Sequence, residues 1–188
     1  MSHHPWLTIV RPMPLHLPLT TERLLLRRLA VSDLDAFHAY RNDPEIARYQ
    51  SWNGMTRRAA ASFLRGQAKA RLGVPGRWCQ VGIELMGELI GELIGDVGIC
   101  IRKDERSAEI GFTLARAHQG RGYAWEALVV VVSMLVDIPT IERIEAVTDA
   151  RNLPSIRLLR RLGFEFERTV DNVFKGEGCQ EHVFGFFR

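Results

Sequence analysis

The sequence predicts an α/β (α+β) fold in which a mixed sheet carries helices on both faces. Segments with strand and helix patterns follow one another along the chain in the order β-α-α-β-β-β-α-β-α-β-β. Helices that alternate with strands in this way bury their apolar sides against the faces of the sheet. One unit, strand 107–114, a helix and strand 143–148, has the form of a right-handed crossover between parallel strands. The 188 residues are 46% hydrophobic and 25% charged, which suits a single domain with its own core.

The N-terminal part predicts one strand and two helices. The segment "ERLLLRRL" (22–29) is short and rich in apolar residues, which indicates the first strand. The next helix is predicted to begin with Ser32 as N-cap and Asp35 at the third helical position, and to end before Pro44. Thr56 is predicted to cap the second helix.

Strands and helices then alternate to the C-terminus. Three strands are predicted at 78–86, 93–102 and 107–114, with the repeated Gly-Glu-Leu-Ile (87–90 and 91–94) as a hairpin between the first two. The apolar segment 124–136 is long enough to favour a buried helix over a strand. The remaining predicted elements are a strand at 143–148, a helix at 152–164, and strands at 165–174 and 180–187 around the turn "KGEGCQ".

Residues 1–19 predict a flexible N-terminal arm, and residues 20–188 predict one domain. The arm is proline-rich and lacks the continuous apolar stretch of a secretory signal, so we expect a cytoplasmic protein. No apolar run is long enough to span a bilayer, so no membrane partner is expected. The cysteines and histidines lack metal-ligand spacing, so no metal site is expected.

The charge pattern argues against nucleic acid as a partner. The net charge is only +3, and the pI is near 9.0. Although 25 residues are Lys or Arg, they are scattered among acidic residues and form no cluster. A nucleic-acid surface would gather them on one face or in one segment.

The segment "HQGRGYAWEAL" (118–128) places glycines directly before the long apolar helix. It lacks the third glycine of a dinucleotide-binding loop and the lysine and hydroxyl of a Walker A loop. A third type of loop fits better, in which backbone N–H groups and the positive end of the helix bind a pyrophosphate. Gly120 and Gly122 would let the backbone approach the anion, Arg121 would add charge, and Gln119 would steady the loop or donate to the ligand.

Several motifs together resemble the GNAT acetyltransferases. "QGRGYA" (119–124) resembles their Q/R-x-x-G-x-G/A loop, "SAEIGFTL" (107–114) the strand before it, and "NLPSIRLLRRLGF" (152–164) their N-x-x-S helix. "TERLLLRRLAVSDLDAF" (21–37) is similar to the N-terminus of the RimJ/RimL-like branch, which acetylates ribosomal-protein N-termini. The resemblance implies a mostly antiparallel sheet with a central, splayed pair of parallel strands.

The resemblance also implies that acetyl-CoA is the co-substrate, with no metal. It places the pantetheine arm between strands 107–114 and 143–148, where backbone groups of Phe112, Thr113 and Leu114 would pair with the arm and one backbone N–H would face the developing oxyanion. The implied cofactor-binding residues are Phe112, Thr113, Leu114, Gln119, Gly120, Arg121, Gly122, Tyr123, Ala124 and Asn152. Asn152 could equally act only as a helix cap, and the two roles are compatible.

The resemblance gives candidate catalytic and acceptor residues as well. Ser155 matches a hydroxyl near the thioester sulfur and is the candidate general acid; the alternative is a solvent-facing serine. Glu109 is the candidate base, acting through water; the alternative is an ordinary surface acid at a strand end. The implied acceptor pocket contains Tyr49, Gln50, Ser51 and Trp52, of which the two aromatic residues could instead anchor the loop.

Three functions therefore remain open. The preferred one is an N-acetyltransferase that moves acetyl directly to a primary amine, on a protein N-terminus or a small molecule. A non-catalytic acyl-CoA sensor is the alternative. The third function, an RNA- or ribosome-associated protein, has no support other than the pI. Dimers are common in the family, so a homodimer is also left open.

Overall fold

The computed structural model describes residues 15–50, 52–87 and 91–188, and these residues form a sheet of eight strands. The strands are β1 (Leu19–Thr20), β2 (Leu24–Arg28), β3 (Cys79–Leu85), β4 (Glu92–Ile101), β5 (Ser107–Leu114), β6 (Arg143–Asp149), β7 (Glu165–Phe174) and β8 (Glu177–Phe187). Their spatial order is β1-β2-β3-β4-β5-β6-β8-β7. All neighbours are antiparallel except β5 and β6, which confirms the predicted mixed sheet with one parallel pair.

The described helices pack on both faces of this sheet, as predicted. They are α1 (Leu34–Arg41), α2 (Pro44–Ala47), α3 (Arg57–Lys69), α4 (Tyr123–Val136) and α5 (Leu153–Arg161). The larger core cluster joins α4 and α5 to one face, and a smaller cluster joins α1 and α3 to the other. Adjacent β4 residues show the division, since Ile94 belongs to the first cluster and Leu93 to the second.

Helix α4 forms because its apolar residues recur with a helical period. Ala127, Leu128, Val131 and Leu135 are fully buried, and their spacing puts them on one side of the helix. The predicted choice of helix over strand for this segment is therefore confirmed. No helix in the described ranges combines the length and the apolar character needed to cross a bilayer.

The start of α1 differs from the prediction. Ser32 is exposed and does not cap the helix; instead a short 3-10 helix, Val31–Asp33, leads into it. The Asp33 carboxylate accepts a hydrogen bond from the backbone N–H of Ala30 at 2.7 Å and two from the Arg27 guanidinium. Asp33 therefore organises this turn, because it has a charged partner that Ser32 lacks. The predicted Thr56 cap is confirmed by its hydrogen bond from Ala59 N.

The last hairpin also differs from the prediction. The six-residue turn expected at 175–180 is only the pair Lys175 and Gly176, and β8 already begins at Glu177. Both turn residues have positive φ, 55° and 83°, as a tight hairpin turn requires. The hairpin between β3 and β4 is confirmed by their antiparallel pairing, while its residues 88–90 lie outside the described residues.

The folded chain begins before residue 20. Leu15 is buried, and Leu17 and Leu19 pack against the larger core cluster, so the end of the predicted arm belongs to the domain. The rest of that arm, residues 1–14, lies outside the described residues.

Candidate active site

The two parallel strands separate toward their C-terminal ends. β5 pairs with β6 only from Ser107 to Ile110, opposite Arg143–Ala146. Beyond that point, residues 111–114 of β5 and 147–149 of β6 do not pair with each other across the gap. The splayed pair that the resemblance implies is therefore present.

The register of β4 and β5 shows which backbone groups face this gap. Ala115 N donates to Ile94 O, which makes these two residues a hydrogen-bonded pair. Hydrogen-bonded and non-hydrogen-bonded pairs alternate along an antiparallel ladder. The backbone groups of Thr113 therefore point to β4, whereas those of Phe112 and Leu114 point away from β4 into the gap. The prediction that the Thr113 backbone pairs with the pantetheine arm is therefore wrong, because that backbone is paired with β4.

A cavity of about 980 Å³ opens at the gap and brings most of the predicted site together. Its walls include the predicted residues Tyr49, Gln50, Phe112, Thr113, Leu114, Gln119, Gly120, Gly122, Tyr123, Ala124, Asn152 and Ser155. Glu109, Arg121 and Trp52 do not line it, and Ser51 lies outside the described residues. One continuous cavity thus connects the predicted acceptor, thioester and pyrophosphate regions.

The glycine loop is shaped to receive an anion. Gly120 and Gly122 have φ of 73° and 83°, and a Cβ added at Gly120 would meet no atom within 4 Å. Gly122 is the N-cap of α4 and supplies no side-chain cap, so the first N–H groups of α4 remain open to a ligand. The Gln119 side chain donates to Leu114 O at 2.9 Å, so it steadies the loop, one of the two roles expected for it.

Among the further residues that line the cavity, Trp125, Arg157 and Arg161 were missed from the sequence as ligand contacts. Arg157 and Arg161 lie one helical turn apart on α5, and the Arg161 guanidinium lies 4.6 Å from the centre of the Trp125 ring. They add positive charge beside the end of the cavity that holds the glycine loop. The i, i+4 spacing of the two arginines was the signal in the sequence that could have identified them.

The N-terminus of α5 places Asn152 and Ser155 side by side on the cavity wall. Asn152 Oδ1 accepts a hydrogen bond from Ser155 N at 3.4 Å, so Asn152 caps the helix. It also lines the cavity, so capping does not remove it from reach of a ligand.

Glu109 lies on the opposite face of β5 from α4 and pairs with Arg102 at 2.5 Å. Burial raises the pKa of Glu109, the Arg102 guanidinium lowers it, and the nearby Glu145 carboxylate raises it again, so that the net shift is upward. It is three residues from Phe112, roughly 10 Å along a strand. A Cβ added at Gly111, between them, would have no atom within 4 Å, so this face is open there.

The predicted acceptor side of the cavity is formed by the segment after α2. Gln50 Nε2 donates to Phe112 O at 3.4 Å, and Tyr49 also lines the cavity. Trp52 instead anchors the segment: its ring lies 3.9 Å from the Arg41 guanidinium carbon, and its Nε1 donates to Arg41 O. The structure thus separates the two aromatic residues, with Tyr49 in the cavity and Trp52 outside it.

A buried polar cluster of Tyr40, Arg41 and Asp96 supports the segment that contains Trp52. Arg41 donates to both carboxylate oxygens of Asp96 at 2.8 Å, and the Tyr40 hydroxyl bonds to the same carboxylate. Burial raises the pKa of Tyr40, and the negative charge of Asp96 raises it further, so the hydroxyl stays protonated and donates. Asp96 pairs with Thr113 across the ladder, so the cluster connects α1 to the site.

The tip of the β7–β8 hairpin crosses to the same region. Lys175 Nζ donates to Ala47 O, at the end of α2, at 2.6 Å. This contact joins α2 to the hairpin beside the predicted acceptor side.

The geometry of the cavity defines a class of protein. A strand edge with free amide groups suits a peptide-like arm, and a glycine loop at a helix N-terminus suits a pyrophosphate. A ligand that combines both is a CoA thioester, so the site is that of an acyl-CoA-dependent enzyme. No group of three or more metal-ligating side chains occurs among the residues that the structure describes.

Residues 23–165 match the family described as "Acetyltransferase (GNAT) domain", so the chain belongs to the GNAT acetyltransferases. It is 32% identical over 172 residues to the uncharacterized N-acetyltransferase p20 of Bacillus licheniformis, covering 89% of this chain and 93% of that protein. The predicted family and the predicted enzyme class, an acetyl-CoA-dependent acetyltransferase, are thereby confirmed.

Two solved structures show the same fold. A GNAT-family acetyltransferase from Bacillus anthracis superposes with a TM-score of 0.80 at 22% identity, covering 91% of this chain and 98% of that one. RimL, a ribosomal L7/L12 alpha-N-protein acetyltransferase solved in complex with coenzyme A, gives 0.76 at 18% identity, covering 89% and 95%. At these identities the likeness concerns the fold.

Proposed function

We propose that this protein transfers the acetyl group from acetyl-CoA directly to a primary amine, with donor and acceptor bound together. The observation that carries the proposal is the continuous cavity, which joins the gap and glycine loop to Tyr49 and Gln50. An acceptor at that end would approach a thioester in the gap without first forming an acetylated enzyme. The acceptor amine belongs to a protein N-terminus or to a small molecule.

The donor is held by three sets of groups from this chain. The backbone groups of Phe112 and Leu114 pair with the pantetheine arm, as one more strand in the gap. The glycine loop and the first turn of α4 bind the pyrophosphate, with Arg121 near it. Asn152, at the start of α5, lines the same cavity and bonds to the arm. These contacts convert a bimolecular reaction into one between positioned groups.

Charge and protons are handled near Phe112. The amine nitrogen attacks the thioester carbon, and the Phe112 N–H, which points into the gap, donates to the oxygen that becomes negative. As the C–S bond breaks, Ser155 gives its proton to the thiolate and regains one from solvent. Glu109, through water, accepts the proton that the amine loses; its raised pKa makes it a better base than an ordinary glutamate.

The likeness to RimL makes a protein N-terminus the first acceptor to test. The RimJ/RimL-like motif at residues 21–37 supports the same choice. The cytoplasmic location and the homodimer stay predictions.

Two measurements test the proposal. Acetyl-CoA at about 100 times its Kd adds roughly 2.7 kcal/mol to the free energy of unfolding, which raises the Tm by roughly 5–11 °C for a chain of this size. Thiol release from acetyl-CoA is then measured with peptides and small amines. Release that requires a free primary amine supports the proposal. Binding without release from any amine would favour the sensor, and no Tm shift would refute both.

A further inference from the structure

Two residues just ahead of β2 bind the first turn of α4. The Thr21 hydroxyl and the Arg23 N–H donate to Glu126 Oε1 at 2.6 and 2.9 Å. The Arg23 side chain donates to Glu126 Oε2 through Nε at 2.7 Å, and its Nη2 lies 2.6 Å from the same oxygen. The Glu126 side chain is only 13% exposed. We call Thr21, Arg23 and Glu126 the clamp.

The same arginine contacts the glycine loop itself. Arg23 Nη1 donates to Arg121 O at 3.2 Å, and its guanidinium carbon lies 4.6 Å from the centre of the Tyr123 ring. A Cβ added at Gly122 would lie 3.4 Å from Arg23 Nη2. Arg23 therefore contacts Arg121 and Tyr123, on either side of Gly122, and it turns the Arg121 carbonyl toward itself.

Glu126 poses an electrostatic problem for an anion site. The N-terminus of a helix carries a partial charge of only about +0.5, which is smaller than the full negative charge of a carboxylate in its first turn. Burial raises the pKa of Glu126, but the hydrogen bonds from Thr21 and Arg23 lower it more, so the carboxylate is ionised. Without Arg23, the first turn of α4 would be net negative and would repel a pyrophosphate.

We propose that Arg23 is a positioning residue for the binding of acetyl-CoA. Arg23 acts through Glu126 and the Arg121 carbonyl, and it does not itself touch the reacting atoms. It cancels the charge of Glu126 and holds the loop so that the N–H groups of α4 face the pyrophosphate. This inference rests on the proposed function, since it assumes a donor with a pyrophosphate. It follows that only such donors should depend on Arg23.

The test compares acetyl-CoA with S-acetylpantetheine, which has the same thioester but no pyrophosphate. Arg23→Met should raise the KM and Kd for acetyl-CoA about tenfold, because the terminus loses its net positive charge. Its kcat at saturation, and its kcat/KM for S-acetylpantetheine, should stay within about twofold of the unsubstituted protein. Arg106→Met is the matched control, because Arg106 pairs with Glu142 on an exposed surface.

Two companion variants separate charge from packing. Glu126→Gln in the Arg23→Met background should recover part of the lost affinity for acetyl-CoA, because it removes the repelling charge. Arg23→Lys should also recover part, since lysine restores the charge without the paired hydrogen bonds. A thermal melt of each variant checks whether the fold is retained.

Equal losses for both donors, or no loss for acetyl-CoA, would overturn the role of Arg23. If the unsubstituted protein binds acetyl-CoA but transfers acetyl to no amine, the proposed function fails. The role of Arg23 is then still decided by the Kd values of the unsubstituted protein and of Arg23→Met for CoA and for pantetheine. If it binds no acetyl-CoA at all, both fail.

Discussion

Removing the Asp96 carboxylate is the most demanding test of how the acceptor side is held. In Asp96→Ala, the Arg41 guanidinium keeps its charge in a buried place, where its Nε already has no partner among the described residues. The Tyr40 hydroxyl loses its acceptor at the same time. Removing one partner of a buried ion pair costs about 3–5 kcal/mol.

That loss corresponds to a Tm lower by roughly 6–20 °C for a chain of this size. Urea unfolding of the purified protein would measure the free energy directly. Glu142→Ala is the control, because its pair with Arg106 is exposed and such pairs add little to stability. The double variant Arg41→Met/Asp96→Ala should be more stable than Asp96→Ala alone, since it leaves no unpaired buried charge.

The same variant should affect one substrate more than the other. The Arg41 guanidinium packs on the Trp52 ring. It thereby holds the segment from which Gln50 donates a hydrogen bond to Phe112 O. We therefore expect Asp96→Ala to raise the KM for the amine and leave that for acetyl-CoA nearly unchanged. A loss of stability no larger than that of Glu142→Ala would refute this reasoning, as would a double variant less stable than Asp96→Ala.

Three further predictions concern the site itself. Gly122→Asp should abolish binding of acetyl-CoA in calorimetry, because it places a carboxylate at the pyrophosphate loop on a backbone with φ of 83°; unchanged affinity would exclude the loop. Ser155→Ala should lower kcat while keeping the Kd for acetyl-CoA, and equal losses would make Ser155 a binding residue. The pKa of Glu109 is higher in the folded than in the unfolded chain, so the free energy of unfolding should fall as pH rises between those two values, and the rate should rise over the same window. Glu109→Gln should flatten both profiles in pH-dependent melts and kinetics; profiles that keep their slope would assign them to another group.

The sequence was sufficient where a motif is local. The glycine loop, α4 and the capped start of α5 each depend on neighbouring residues, and their predicted positions agree with the structure. The central, splayed pair of parallel strands was implied by the family resemblance. The direction of the Thr113 backbone was not, because it depends on the register with β4.

Contacts between distant residues were beyond the sequence. Arg23 and Glu126 are 103 residues apart, and nothing in the residues between them indicates that they meet. The assignment of Ser32 as a cap failed for a related reason: the partner of Asp33 is Arg27, on the preceding strand. The turn predicted at 175–180 is too long, because residues 177–180 have no clear strand pattern in the sequence. They form a strand only through their pairing with β7.

The gap between β5 and β6 has a consequence for how such a protein can vary. Phe112 and Leu114 offer main-chain groups, which every amino acid except proline supplies alike. Recognition of the donor through main chain does not depend on the side chains at those positions, which are constrained only by their packing against the core. The site is also a sheet edge enclosed within the molecule, where strands of other chains cannot add as they can to an outer edge. Diversification of the acceptor can therefore proceed on the neighbouring loops while the way the donor is held stays the same.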